Sequence, residues 1–115
     1  MPHGMGLIIR WLINAVALYV TTLIVRGLTV PDFGAALVAA LVLGIVNAVI
    51  RPVAVILTLP LNILTLGLFT FVINAAMLWL VSRVTALRVE SLWAALLGAV
   101  VLSVISAVLT RVVVD

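Results

Sequence analysis

Cysteine and lysine are absent, and histidine occurs once, as His3. Without cysteine there is no disulfide, no thiolate metal site, no cysteine nucleophile and no lipidated cysteine. Charge is nearly as scarce: 8% of the 115 residues are charged, against roughly a quarter in a soluble domain. The only acids are Asp32, Glu90 and Asp115, and none lies in the middle of an apolar run. A metal site needs several convergent ligands, and a nucleophile needs a neighbouring base. Gly4-Met5-Gly6 lacks the third glycine and the preceding strand of a phosphate loop. His3 is expected in a disordered tail. The sequence therefore argues against an enzyme and implies no cofactor, no metal and no small-molecule substrate.

What is present is apolar surface. Hydrophobic residues make up 68% of the chain, and its mean hydropathy is +1.58. No soluble fold can hide that much apolar surface behind so few charges, whereas lipid tails accept it. About 20 apolar residues span a bilayer as a helix, so four spans with short connections use up the chain. Residues 1–115 then form a single transmembrane domain whose first partner is the lipid bilayer. The net charge of +3 comes from six scattered arginines. They form no basic stripe, which argues against nucleic acid, and they fit helix ends facing lipid headgroups.

The first apolar run, 11–25, extends back to Leu7 and ends at Arg26-Gly27. Ala15-Val16-Ala17 has the small-x-small form of a signal-cleavage site, but Arg10 interrupts the run before it, so a retained helix is expected. Gly27 and Pro31 mark a turn, and Asp32 is placed to cap a second helix over 33–50. That helix is expected to end or kink at Arg51-Pro52, because the residue before proline disfavours helical geometry. A long run, 53–81, is broken by Pro60 and Gly67, and the last run covers 92–114.

An internal repeat organises the long run. Ile13-Asn14-Ala15 matches Ile73-Asn74-Ala75, sixty positions on. Tyr19 matches Trp79 and Thr22 matches Ser82. After a one-residue shift, Leu28-Thr29-Val30 matches Leu87-Arg88-Val89, Ala35-Ala36-Leu37 matches Ala94-Ala95-Leu96, and Ala48-Val49 matches Ala107-Val108. The expected fold is all-α: four transmembrane helices from two tandem, parallel helical hairpins, with a short Pro-containing apolar insert. The first repeat covers about 6–51, the insert about 52–65 and the second repeat about 66–112, with the third span over 66–83. Pro52, Pro60 and Gly67 are the candidate breaks or kinks.

Two sets of residues stand out for function. Ala36, Ala40, Gly44 and Ala48 share one helical face, and Ala95, Ala99, Ser103 and Ala107 do the same at matching positions. Small residues let membrane helices approach closely, either inside one monomer, which is the default, or between copies in a homo-oligomer. Asn14, Asn47 and Asn74 form the second set. An amide in hydrocarbon is costly unless hydrogen-bonded, so these three should face other helices, as interhelical glue first and pore lining second. Thr21, Thr22 and Ser106 can bond their own helix backbone. Trp11 and Trp93 suit interfacial anchors, while packing is the default for Tyr19 and Trp79.

The blocks Leu43-Gly44-Ile45-Val46-Asn47-Ala48-Val49-Ile50-Arg51-Pro52, Leu57-Thr58-Leu59-Pro60-Leu61 and Leu64-Thr65-Leu66-Gly67-Leu68-Phe69, together with Asp32-Phe33 and the two Ile-Asn-Ala copies, resemble the phage holin family, superfamily IV, of four-span bacterial membrane proteins. The resemblance covers nearly the whole chain. It departs at Arg88-Val89-Glu90-Ser91, where an Asp-Gly-Phe type of turn is common. Holins self-associate in the cytoplasmic membrane and breach it to release an endolysin. The resemblance implies a multi-pass protein of the bacterial cytoplasmic membrane, with both termini cytoplasmic. Arginine counts alone tie: Arg10, Arg51 and Arg111 lie on one side, and Arg26, Arg83 and Arg88 on the other. The rival readings are a non-lytic envelope or stress accessory protein and, disfavoured by the lack of mid-span charge, a small-solute or ion transporter.

Overall fold

The computed structural model describes residues 3–57 and 69–114. Within them the chain forms α1 (His3–Ile24), β1 (Leu28–Thr29), α2 (Phe33–Leu57), α3 (Phe69–Val84), β2 (Arg88–Val89) and α4 (Leu92–Val114). The protein is mostly helical, as its long runs of Leu, Ala, Val and Ile dictate where lipid offers the backbone no hydrogen-bond partner. Among the described residues, three helices are long and apolar enough to cross a membrane, at Met5–Ile24, Phe33–Ala54 and Leu92–Val113, and Thr70–Val84 is apolar but shorter. At about 1.5 Å per residue the 22 residues of α1 reach about 33 Å, which matches a hydrocarbon core of about 30 Å.

Side-chain and turn chemistry set the helix ends. Asp32 Oδ1 accepts from the Ala35 amide at 2.7 Å, and Ser91 Oγ accepts from the Ala94 amide at 3.1 Å. Both are N-caps that satisfy an otherwise orphaned donor. After α1, Gly27 adopts φ 86°, a left-handed turn that glycine alone enters cheaply. After α3, Thr85 Oγ1 donates to the Val81 carbonyl at 2.8 Å and accepts from the Leu87 amide at 3.2 Å.

Two expectations about boundaries change. His3 opens α1 and does not lie in a disordered tail. The second helix does not stop at Arg51: it continues through Pro52 to Leu57. Proline removes one backbone donor, but ending the helix there would leave several more groups unbonded next to the apolar stretch that follows. Of the expected insert, 52–57 is therefore helical, while 58–65 lies outside the described residues, as do the proposed breaks at Pro60 and Gly67. The described part of the third span begins at Phe69.

Each helix packs against two others: α1 on α2 and α4, and α3 on α2 and α4. Among the described residues the arrangement is a four-cornered bundle with α1 diagonal to α3 and α2 diagonal to α4. The two connecting loops meet at one end, where β1 and β2 pair antiparallel with Leu28 opposite Val89 and Thr29 opposite Arg88. The Glu90 amide adds a bond to the Gly27 carbonyl at 2.8 Å. Because β1 follows α1 and β2 follows α3, these two helices run in the same direction. The strap drives Leu28 and Leu87 into the bundle, where they join Leu18, Leu78 and Val81 as fully buried side chains. The outer surface is apolar: Leu23, Leu97 and Val104 are exposed at 70%, 51% and 57%, a condition that suits lipid and not water.

Candidate functional site

Away from the strap the interior changes character. A cavity of about 180 Å³ is lined by Asn14, Leu43, Asn47, Asn74, Met77, Leu78, Ala99, Leu102, Ser103 and Ser106. Every helix contributes a polar group: Asn14 from α1, Asn47 from α2, Asn74 from α3, and Ser103 and Ser106 from α4. The three asparagines singled out in the sequence, which sit on three different helices, thus meet in one chamber.

Its hydrogen bonding is uneven. Ser106 Oγ donates to Asn14 Oδ1 at 2.8 Å, tying α4 to α1. Ser106 thus bonds across helices, whereas Thr21 bonds its own helix backbone, donating to the Ala17 carbonyl at 2.6 Å, and so does Thr22, to the Tyr19 carbonyl. The difference is geometric: Thr21 is enclosed by the core, while Ser106 faces an amide oxygen across the chamber. Asn47 Oδ1 is buried, and among the described residues no group donates a hydrogen bond to it. A buried acceptor left this way costs about 1–3 kcal/mol, so the chamber favours any small donor, water first, that enters it.

The small-residue stripes divide along their length. Ala36, Ala40, Ala95 and Ala99 are buried at 0–3% exposure, where α2 and α4 press against the core. Gly44, Ala48, Ser103 and Ala107 are exposed, and among the described residues nothing lies within 4 Å of where a Gly44 side chain would begin. The close approach inside the monomer thus uses the half of each stripe nearer the strap. Ser103 lines the chamber.

Sequence reasoning missed Ser106 as a chamber residue. The available signal was the sequence match, since Ser106 occupies the position that aligns with Asn47 under the same one-residue shift that aligns Ala48 with Ala107. The aromatic residues also differ in role. The Trp11 indole N–H donates to the Leu37 carbonyl at 2.8 Å, fastening α1 to α2. Tyr19 packs edge-on against Phe33 at 5.8 Å. Trp79 is 52% exposed and carries the Arg83 guanidinium 5.6 Å above its ring.

An apolar exterior, membrane-length helices and a polar chamber define a small polytopic membrane protein. The chain belongs to the mycobacterial four-transmembrane-span phage holin family, superfamily IV, whose model matches residues 5–108. It is 48% identical over 75 residues to an uncharacterised protein of Streptomyces coelicolor, aligning 61% of this chain with 60% of that one. The matched region thus spans about three-fifths of that relative's length. It is 35% identical over 102 residues to the uncharacterised membrane protein YvlD of Bacillus subtilis, covering 84% of this chain and 86% of that one. No solved structure matches the chain.

Proposed function

We infer that the protein is a holin-like, self-associating component of the bacterial cytoplasmic membrane, with both termini in the cytoplasm and no catalytic role. The observation that carries the reading is the polar chamber between the four helices, flanked by the exposed half of the small-residue stripes. Contact between copies through Gly44, Ala48 and Ala107 is open to helices that approach closely. Association at that face sets the chambers of neighbouring copies near one another, and their amides and hydroxyls line a hydrated path. The bundle is filled by leucines at the strapped end, so in this reading permeation requires assembly and not a channel through one monomer.

The same reading takes the two halves as copies of one hairpin, joined by the insert. Its support is positional. Ile13 and Ile73, Ala15 and Ala75, Leu18 and Leu78, and Leu28 and Leu87 are all buried. Asp32 and Ser91 cap their helices with the same geometry. Thr29 pairs with Arg88, its own counterpart in the repeat.

Induced expression in a bacterium, with and without an endolysin lacking a signal sequence, tests permeabilisation. A potential-sensitive dye and culture turbidity are read against an unrelated four-span protein at matched level. Abrupt depolarisation, with lysis only when endolysin is present, is expected. Unchanged potential and growth favour the second reading, a non-lytic envelope accessory protein, which the leucine-filled end of the bundle also suits.

A further inference from the structure

The two hairpins treat one groove differently. In the first, Phe33 at the start of α2 packs edge-on against Tyr19 of α1, with rings at 86°. In the second, the counterparts are Leu92 and Trp79, one from α4 and one from α3, and both line an open groove of about 430 Å³. Its floor is Ala75 and Ala95, both 3% exposed. Its walls, Val72, Trp79 and Leu92, are exposed at 46%, 52% and 73% and face the surroundings of the bundle.

The mouth of this groove is charged. A second depression shares Trp79, Val89 and Glu90 with it and adds Ser82, Arg83 and Arg88. The first hairpin has Leu23 and Thr29 where the second has Arg83 and Arg88. Glu90 also stands at the mouth, with Oε2 3.6 Å from where a Gly27 side chain would begin, so it leans towards the first loop. Two guanidiniums against one carboxylate leave the mouth cationic. With the bundle spanning a bilayer, the strapped end, where α3 ends and α4 begins, falls at the depth at which a phospholipid carries its phosphate.

We propose that the groove between α3 and α4 is a binding site for an anionic phospholipid, with one acyl chain on Ala75 and Ala95 between Trp79 and Leu92 and the phosphate held by Arg83 and Arg88. Arginine suits this role because its planar fork donates two parallel hydrogen bonds to phosphate, and basic pockets beside membrane helices select anionic headgroups. The site does not depend on the self-association reading. It requires only that the bundle sit in a bilayer.

The test uses the full chain carrying Trp11→Phe and Trp93→Phe, which leaves Trp79 as the only indole, reconstituted in nanodiscs. Lipids with brominated acyl chains quench tryptophan on contact. Brominated phosphatidylglycerol is expected to quench Trp79 with about fivefold higher apparent affinity than brominated phosphatidylcholine. Arg83→Gln with Arg88→Gln should abolish that preference while leaving quenching by both lipids. Leu92→Phe, which gives the second hairpin the residue that bridges the first, should weaken quenching by both. Added inorganic phosphate should not compete, because the chain contributes to binding. Equal quenching by the two lipids in the parent protein, or a preference that survives loss of both arginines, overturns the proposal. Far-UV circular dichroism confirms helicity of each variant, and the arginine pair, being exposed, decides the matter even if Leu92→Phe misfolds.

Discussion

At the strapped end of the bundle, Ala36 and Ala95 are buried at 0% and 3% exposure, and leucines from both loops fill the space between the helices. About two turns further along the same helices, Gly44 and Ser103 are exposed, and the interior holds amides and hydroxyls in place of leucine. One spacing of small residues therefore serves two purposes. Where loop leucines supply apolar volume, small residues on α2 and α4 make room for them and the core closes. Where the leucines of the strap do not reach, the same spacing leaves surface and a polar chamber. A stripe of small residues specifies that something can come close, and its surroundings decide what does.

The sharpest way to break this comparison is to enlarge one glycine at each end. A side chain on Gly98 would begin 2.9 Å from Leu28 Cδ2 and 3.2 Å from Leu78 Cδ2, and both leucines are almost fully buried. Gly98→Leu should cost about 3 kcal/mol by overpacking, measured by unfolding in mixed micelles with circular dichroism. Gly44→Leu should change monomer stability by less than about 0.5 kcal/mol yet eliminate chemically crosslinked oligomers. Equal destabilisation by the two would mean that the ends do not differ as described.

A smaller effect probes the strap. Gly27→Ala places a side chain at φ 86° and 3.0 Å from Ala94 Cβ. The left-handed conformation alone should cost about 1–2 kcal/mol, read in the same unfolding assay, and amide exchange at Glu90 should quicken as its bond to the Gly27 carbonyl loosens. The smallest effect belongs to the chamber. A double-mutant cycle on Asn14→Ala and Ser106→Ala should return a coupling of about 0.6 kcal/mol. A coupling indistinguishable from zero would remove the bond between α1 and α4 from any account of the chamber.

Much of the fold was legible in the sequence because a bilayer leaves few options. The apolar runs, the Gly27 turn and the Asp32 cap locate α1, α4 and the start of α2 to within a few residues. The match between Ile13-Asn14-Ala15 and Ile73-Asn74-Ala75 puts a third span over 66–83, of which the described part runs from Phe69 to Val84. Pro52 misled because a rule about one residue's preferred geometry competes with the need of the whole backbone for partners in lipid. The strap was invisible as strands: Leu28-Thr29 and Arg88-Val89 are too short for any alternating pattern, and they are extended because each finds the other. For the chamber, the sequence marks each of the three asparagines as needing a partner on another helix, and all three line the same cavity. Which partner cannot be read from spacing along one helix, because a serine such as Ser106 can equally bond its own helix backbone.

Composition and periodicity by themselves determined that this is a helical membrane protein, because no other arrangement of so apolar a chain satisfies its backbone and its surface together. They also determined which faces are small and which positions are polar. Tertiary structure alone decided that Asn14, Asn47, Asn74, Ser103 and Ser106 share one chamber, that half of each small stripe is buried and half exposed, and that the groove bridged by Phe33 in the first hairpin is open in the second. Those outcomes depend on distances between helices and on what the loops place between them, quantities that no periodicity along a single helix encodes.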